Sequence, residues 1–168
     1  MQNKYAFLMI DYDTPSFIKD IHSQLLEDEL YKEEEGDKGI ELDTHVTLAP
    51  CLDNDIDLEE LKQHLLPLSK YTILLNNVST FDNELYDVLK CDVQCDFLHN
   101  TNHKLKTIYP MHTEYDEYHP HLTIAYLNKG VCDRFKKDIL TPLVVLKPKQ
   151  FHYSFYDENG IQQKIKFK

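Results

Sequence analysis

The period of the apolar positions changes several times along the chain, and each change marks an element. YAFLMIDY, from Tyr5 to Tyr12, is a continuous apolar run of strand length. Turn chemistry at Asp13 to Pro15 precedes FIKDIHSQLL, where Phe17, Ile18, Ile21, Leu25 and Leu26 recur at helical spacing with His22 at the edge of their face. THVTLAP reads as a short strand closed by Pro50. After an Asp-Asn-Asp turn, IDLEELKQHLLPL carries a helical stripe of Ile56, Leu58, Leu61, Leu65 and Leu66 that Pro67 ends. TILLNNVSTF and LYDVLKCDV follow as strands, FLHNTNHKLKTIY as a helix and TIYPMHTEYDEYHP as a loop. HLTIAYL is then a strand, CDRFKKDIL a helix, and PLVVL, FHYSFY and IQQKIKF are strands, the last two joined by the hairpin signal Asn159-Gly160. Helices and strands alternate twice without long crossovers, which predicts an α+β fold with two similar lobes in contact.

A chain of 168 residues holds one sizeable domain or two small lobes sharing a core, so residues 1–168 are read as a single bilobal domain. The start has neither a basic region nor a long apolar stretch, and no uncharged apolar run approaches the roughly 18 residues of a membrane span. A cytoplasmic protein without membrane contact is the expectation. Cys51, Cys91, Cys95 and Cys132 form no CxxC pair, so they read as free thiols, with Cys91 and Cys95 as a buried strand residue and a helix-start residue. The formal charge of −11 argues against coating nucleic acid nonspecifically. It is uneven, however. Acids crowd Glu27 to Asp43 (including Glu33, Glu34, Glu35 and Asp37), a solvated helix end and loop, whereas Lys147, Lys149, Lys164, Lys166 and Lys168 outnumber the acids near the end.

Two stretches repeat: HVTLA from His45 and HLTIA from His121. In a strand, alternate side chains share a face, so His45 with Thr47, and His121 with Thr123, point one way while their aliphatic neighbours point into the lobe. Ala49 and Ala125 are expected to continue the polar face with little bulk. Facing across a cleft, the two strands would bring two imidazoles and two hydroxyls around one site. Phosphodiester cleavage needs a proton removed from the nucleophile and another delivered to the leaving oxygen, and histidine does either near neutrality. A threonine hydroxyl beside it can donate to a nonbridging phosphate oxygen.

The paired His45-Val46-Thr47-Leu48 and His121-Leu122-Thr123-Ile124 resemble the two H-x-T-hydrophobic motifs of the two-histidine (2H) phosphoesterase superfamily, the 2′-5′ RNA ligase-like proteins and cyclic phosphodiesterases. The resemblance extends over nearly the whole chain. It implies a bilobal fold of mostly antiparallel sheet with outer helices, pseudo-twofold symmetry and a central cleft. It also implies metal-independent phosphodiester chemistry without a cofactor, with His45 and His121 as acid and base in an order the sequence leaves open, and Thr47 and Thr123 holding the phosphate. One departure is Thr44, where family members often have proline before the first motif.

The expected partner is a small nucleotide or a single-stranded RNA end, not duplex nucleic acid, and nothing resembling a coiled-coil seam speaks against a monomer. Of the tyrosines around the second motif, Tyr115 and Tyr118 in the acidic loop are the candidates for stacking on a base, whereas Tyr126 has the parity of Leu122 and Ile124 and is expected inside the lobe, and Tyr109 also lies near. Lys129, Arg134, Lys136 and Lys137 read as a solvated helix face. Two rival functions stand beside this one. A nucleotide-binding module of the same fold would have lost turnover, and a metal hydrolase would use His112, His119 and His121, or His99 and His103.

Overall fold

A computed structural model describes residues 5–33, 38–53 and 55–167. Glu34, Glu35 and Asp37 of the acidic run, Asn54 of the turn, Lys168 and the first four residues lie outside the described residues. In chain order the elements are β1 (Tyr5–Asp11), α1 (Ser16–Gln24), β2 (His45–Asp53), α2 (Leu58–Leu65), β3 (Ile73–Leu75), β4 (Ser79–Asp82), β5 (Tyr86–Gln94), α3 (Asp96–Ile108), β6 (His121–Asn128), β7 (Val144–Leu146), β8 (Gln150–Tyr156) and β9 (Gln162–Phe167).

The strands form one antiparallel sheet in the order β7-β3-β5-β6-β2-β1-β8-β9, with β4 also paired to β5. The two motif strands are therefore neighbours at its centre, joined at Val46↔Leu122. The apolar back of the sheet, with Leu8, Ile10, Val46, Leu48, Leu89, Cys91, Leu122 and Ile124, is buried against Ile18 of α1, Leu61 and Leu65 of α2, and Leu98 and Leu105 of α3. Helix α3 packs on β2 and helix α1 on β6, so each motif strand is backed by the helix of the opposite half. No helix among the described residues is long and apolar enough to cross a membrane.

Several expected boundaries move. Strand β2 runs through Pro50 to Asp53: the register against β1 jumps between Leu8↔Ala49 and Ala6↔Leu52, and Cys51 takes φ of 53°. Proline is tolerated in a sheet at such a bulge, where no ladder N–H is required of it. TILLNNVSTF divides into β3 and β4 around Asn76 and Asn77. CDRFKKDIL is not a helix but a 3-10 turn, Val131–Phe135, because Val78 and Lys137 exchange both backbone hydrogen bonds (2.8 and 2.9 Å) and draw the chain out extended. Helix α1 stops at Gln24, leaving Leu26 61% exposed.

Candidate active site

Both motif strands carry a β-bulge at the same place. Against β1 the register passes from Met9↔Thr47 to Leu8↔Ala49, skipping Leu48; against β5 it passes from Lys90↔Thr123 to Leu89↔Ala125, skipping Ile124. An extra residue reverses the parity beyond it. Ala49 and Ala125 therefore do not continue the polar face as alternation predicts; both are fully buried with the aliphatics. The same reversal moves Tyr126 out of the lobe interior. It is half-buried beside Tyr86.

A bulge frees a carbonyl, and each is taken by a side chain from the helix behind. Asn102 of α3 donates to the Leu48 oxygen at 2.8 Å, and His22 of α1 to the Ile124 oxygen at 2.9 Å, a carbonyl that also accepts the Glu41 N–H at 3.1 Å. These bonds account for the buried Asn102 and for His22 at the helix edge. Thr44 has a backbone task as well: its carbonyl accepts the Tyr12 N–H at 2.9 Å, as the Pro120 carbonyl accepts that of Val93 at 3.0 Å. The backbone bond needs only a carbonyl, which threonine and proline both supply; the buried Thr44 hydroxyl in addition hydrogen-bonds that of Thr14 at 2.7 Å.

Up to the bulges, His45, Thr47, His121 and Thr123 share the outer face. The Val46↔Leu122 register sets His45 across from Thr123 and Thr47 across from His121. Each imidazole is fixed by the same local bond, Nδ1 to the carbonyl two residues earlier: His45 to Asp43 at 2.6 Å and His121 to His119 at 2.8 Å. A carbonyl only accepts, so Nδ1 carries the hydrogen and Nε2 is left for chemistry on both rings.

A carboxylate stands across the strand from each histidine, Asp11 opposite His45 and Asp92 opposite His121. Each is held by an amide: Gln150 Nε2 to Asp11 at 2.7 Å, and Asn77 Nδ2 to Asp92 at 2.6 Å. Their further partners differ. Asp92 binds Lys90 Nζ at 2.5 Å and Ser79 Oγ at 3.2 Å, with Lys90 only 4% exposed and lying over the Phe81 ring. Asp11 instead lies 2.8 Å from Nδ1 of the buried His152. Burial opposes ionisation of both carboxyls, but the donors outweigh it and hold both below the usual carboxylate value. Burial also holds His121 below the ordinary imidazole value; Lys90 and His45 act in the same direction, while the His119 carbonyl and Asp92 oppose. The Phe81 ring lies edge-on to His121, with centroids 4.8 Å apart, and His152 lies edge-on to His45 at 6.4 Å.

The remaining candidates are placed as follows. Tyr118 donates its hydroxyl to the Thr47 carbonyl at 3.0 Å and meets the ring of His99, so it braces the first motif; burial pushes its phenol pKa up. Tyr115 is 79% exposed on the loop, and Tyr109 is buried. His112 pairs with Asp53 at 2.9 Å and stacks on Tyr5, whereas His119 is exposed beside Glu117. Among the described residues, no group of three or more His, Cys, Asp or Glu is arranged to hold a metal ion. Lys129 pairs with Asp82 and Asp87, Arg134 with Glu29 and Lys136 with Asp133.

Asp11, Asp92, Lys90, His152, Gln150 and Asn77 were not singled out by the motifs. The available signal was a charged residue inside each apolar strand before a motif, Asp11 in LMIDY and Lys90 and Asp92 in VLKCDV.

A central pair of H-x-T strands, pseudosymmetric down to their bulges, is the arrangement of a two-histidine phosphoesterase. Comparison with known proteins places the chain accordingly. The profile of the 2′-5′ RNA ligase superfamily matches residues 19–152, and the protein belongs to that superfamily, the 2H phosphoesterases. Its activity is of the phosphoesterase type. No curated protein matches its sequence. Among solved structures, Kluyveromyces marxianus Usb1 with uridine monophosphate is similar in fold, with a TM-score of 0.53 at 10% identity over 98% of both chains. Escherichia coli LigT with 3′-AMP gives 0.49 at 14% identity over 98% of this chain and 95% of LigT.

Proposed function

We propose that the protein is a metal-independent phosphodiesterase that cleaves a small cyclic or 2′-5′-linked nucleotide, or an RNA end, by acid and base catalysis from His45 and His121. The observation that carries this is the matched pair of imidazoles on adjoining central strands, each with Nδ1 committed to its own backbone and Nε2 free. A phosphate between them would accept hydrogen bonds from Thr47 and Thr123.

The electrostatics support an order of events. His121, with its pKa lowered by burial, is neutral near neutral pH and suits the base. Lys90 is paired with Asp92 behind it and also acts to lower the His121 pKa. His45, the other imidazole of the face and opposite Asp11, is then left as the acid. Nε2 of His121 takes the proton of water attacking a 2′,3′-cyclic phosphate, or of a 2′-hydroxyl attacking the adjacent linkage. A P–O bond forms to that oxygen, the bond to the leaving oxygen breaks, and Nε2–H of His45 protonates the departing oxygen. The acidic chain forfeits the counterion-release attraction of long nucleic acid, which favours short or single-stranded substrates over duplexes.

The test is incubation with 2′,3′-cyclic, 3′,3′-cyclic and 2′-5′-linked nucleotides in chelator, with products identified by mass. Turnover that survives chelator is expected. Tight binding without product would mean a binding module, and activity lost in chelator and restored by zinc would mean a metal hydrolase.

A further inference from the structure

The polar face does not end at the two histidines. From His45 it continues across β1 and β8 to the edge strand β9, whose register sets Lys166 opposite His152 and Lys164 opposite Ser154. Here a hollow of about 290 Å³ opens, lined by Lys149, Lys164, Lys166, His152, Gln150 and Thr44 among others. It lies beside the first motif histidine: Thr44 immediately precedes His45, and the His152 and His45 ring centroids are 6.4 Å apart.

Two features suit this hollow to an anion. His152 is only 3% exposed; its Nδ1 lies 2.8 Å from Asp11, and its Nε2 has no hydrogen-bond partner in the protein. A buried polar side chain left so is costly unless something completes it. The lysines, too, are only lightly engaged. Lys149 pairs with Asp13 at 3.2 Å and Lys164 with Asp43 at 3.4 Å, but those carboxylates are 87% and 72% exposed, and such pairs hold weakly in water. Lys166 has no ion pair among the described residues. Asp11, the remaining acid of the wall, is already occupied by Gln150 and His152. The donors on offer are ammonium, imidazole, amide and hydroxyl groups, the set that recognises phosphate oxygens.

We propose that the hollow receives a second phosphate of the molecule whose scissile phosphodiester lies between His45 and His121. The preferred substrates then carry two phosphates, such as a 2′,3′-cyclic terminus preceded by another phosphate, rather than an isolated mononucleoside cyclic phosphate. This inference rests on the phosphodiesterase reading above and narrows its substrate class. The second phosphate is either a terminal 5′-phosphate or an internucleotide one, and the same donors serve both.

Calorimetric titration in chelator tests the inference without requiring turnover. The ligands are adenosine 3′-monophosphate, adenosine 3′,5′-bisphosphate and a dinucleotide 3′-phosphate lacking a 5′-phosphate. The wild type is expected to bind at least one two-phosphate ligand about tenfold or more tightly than the monophosphate, and which one shows the gain identifies the source. Lys164→Ala/Lys166→Ala should abolish that preference while binding the monophosphate as the wild type does. Equal wild-type affinity for all three ligands, a preference that survives the double substitution, or an equal loss for every ligand would overturn the proposal. A preference without hydrolysis of any substrate would defeat the enzyme reading and leave the subsite standing; hydrolysis without a preference would do the reverse.

Discussion

The half that carries His45 and the half that carries His121 build the same backbone corner and fill it with different ions. Both have a threonine two residues after the histidine, a bulge after the threonine, a buried alanine after the bulge, a carboxylate across the strand and an amide holding that carboxylate. Behind Asp92 the partner is a lysine, nearly sealed from water; behind Asp11 it is a histidine. Repetition thus sets two histidines in mirrored positions, and the partner behind each carboxylate is where the halves differ.

The largest effect is expected from removing the imidazoles themselves. His45→Ala and His121→Ala should each lower turnover by at least about 10²-fold, since each deletes one proton transfer. The pH profiles distinguish the halves. Loss of the base should abolish the acidic limb of kcat/KM, and loss of the acid the alkaline limb. Steady-state rates across pH on the residual activity check this, and loss of the same limb in both variants would refute the division of roles. Thr47→Val and Thr123→Val should cost less, about 1 to 3 kcal/mol of transition-state stabilisation each, read from kcat/KM.

How far the sequence disclosed this site depended on whether a feature was local. The duplicated motif, the alternation that pairs His45 with Thr47 and His121 with Thr123, and most strands followed from a handful of neighbouring residues. The bulges did not, because a bulge is a relation between two strands: nothing within HVTLA says that Leu48 is skipped by β1, so the alanines and Tyr126 were set on the wrong faces. The carboxylates were hidden for a related reason. Asp11 and Asp92 matter through cross-strand register, and Gln150 reaches Asp11 from the far end of the chain. CDRFKKDIL shows a third limit, a helical composition overruled by a backbone pairing between Val78 and Lys137.

The braces behind the bulges sharpen the comparison on the side of stability. Asn102→Leu leaves the buried Leu48 carbonyl without the amide and should destabilise the fold by about 1 to 3 kcal/mol, measured by urea unfolding. His22→Leu should cost less, because the Ile124 carbonyl keeps the Glu41 N–H. A larger loss from His22→Leu than from Asn102→Leu would show that the two bulges are not braced as their hydrogen bonds indicate.

The smallest effect, and the finest test of the asymmetry, lies in the ions behind His121. In the proposed base role the ring must be neutral, so activity is expected to fall as pH drops through its pKa, which burial and Lys90 hold below the ordinary value of about 6.5. Lys90→Met removes a charge that disfavours the imidazolium and leaves Asp92, which favours it, unopposed. The pKa of His121 therefore rises and the acidic limb moves to higher pH. Asp92→Asn does the opposite: it deletes the favouring charge, leaves Lys90 uncompensated and moves the limb to lower pH. Near neutrality neither substitution should alter the rate as much as loss of a histidine, provided thermal melts confirm the fold. Limbs displaced in the same direction, or an alkaline limb that moves while the acidic one stays fixed, would mean that these ions do not set the protonation of His121 and that the distinction between the halves has another origin.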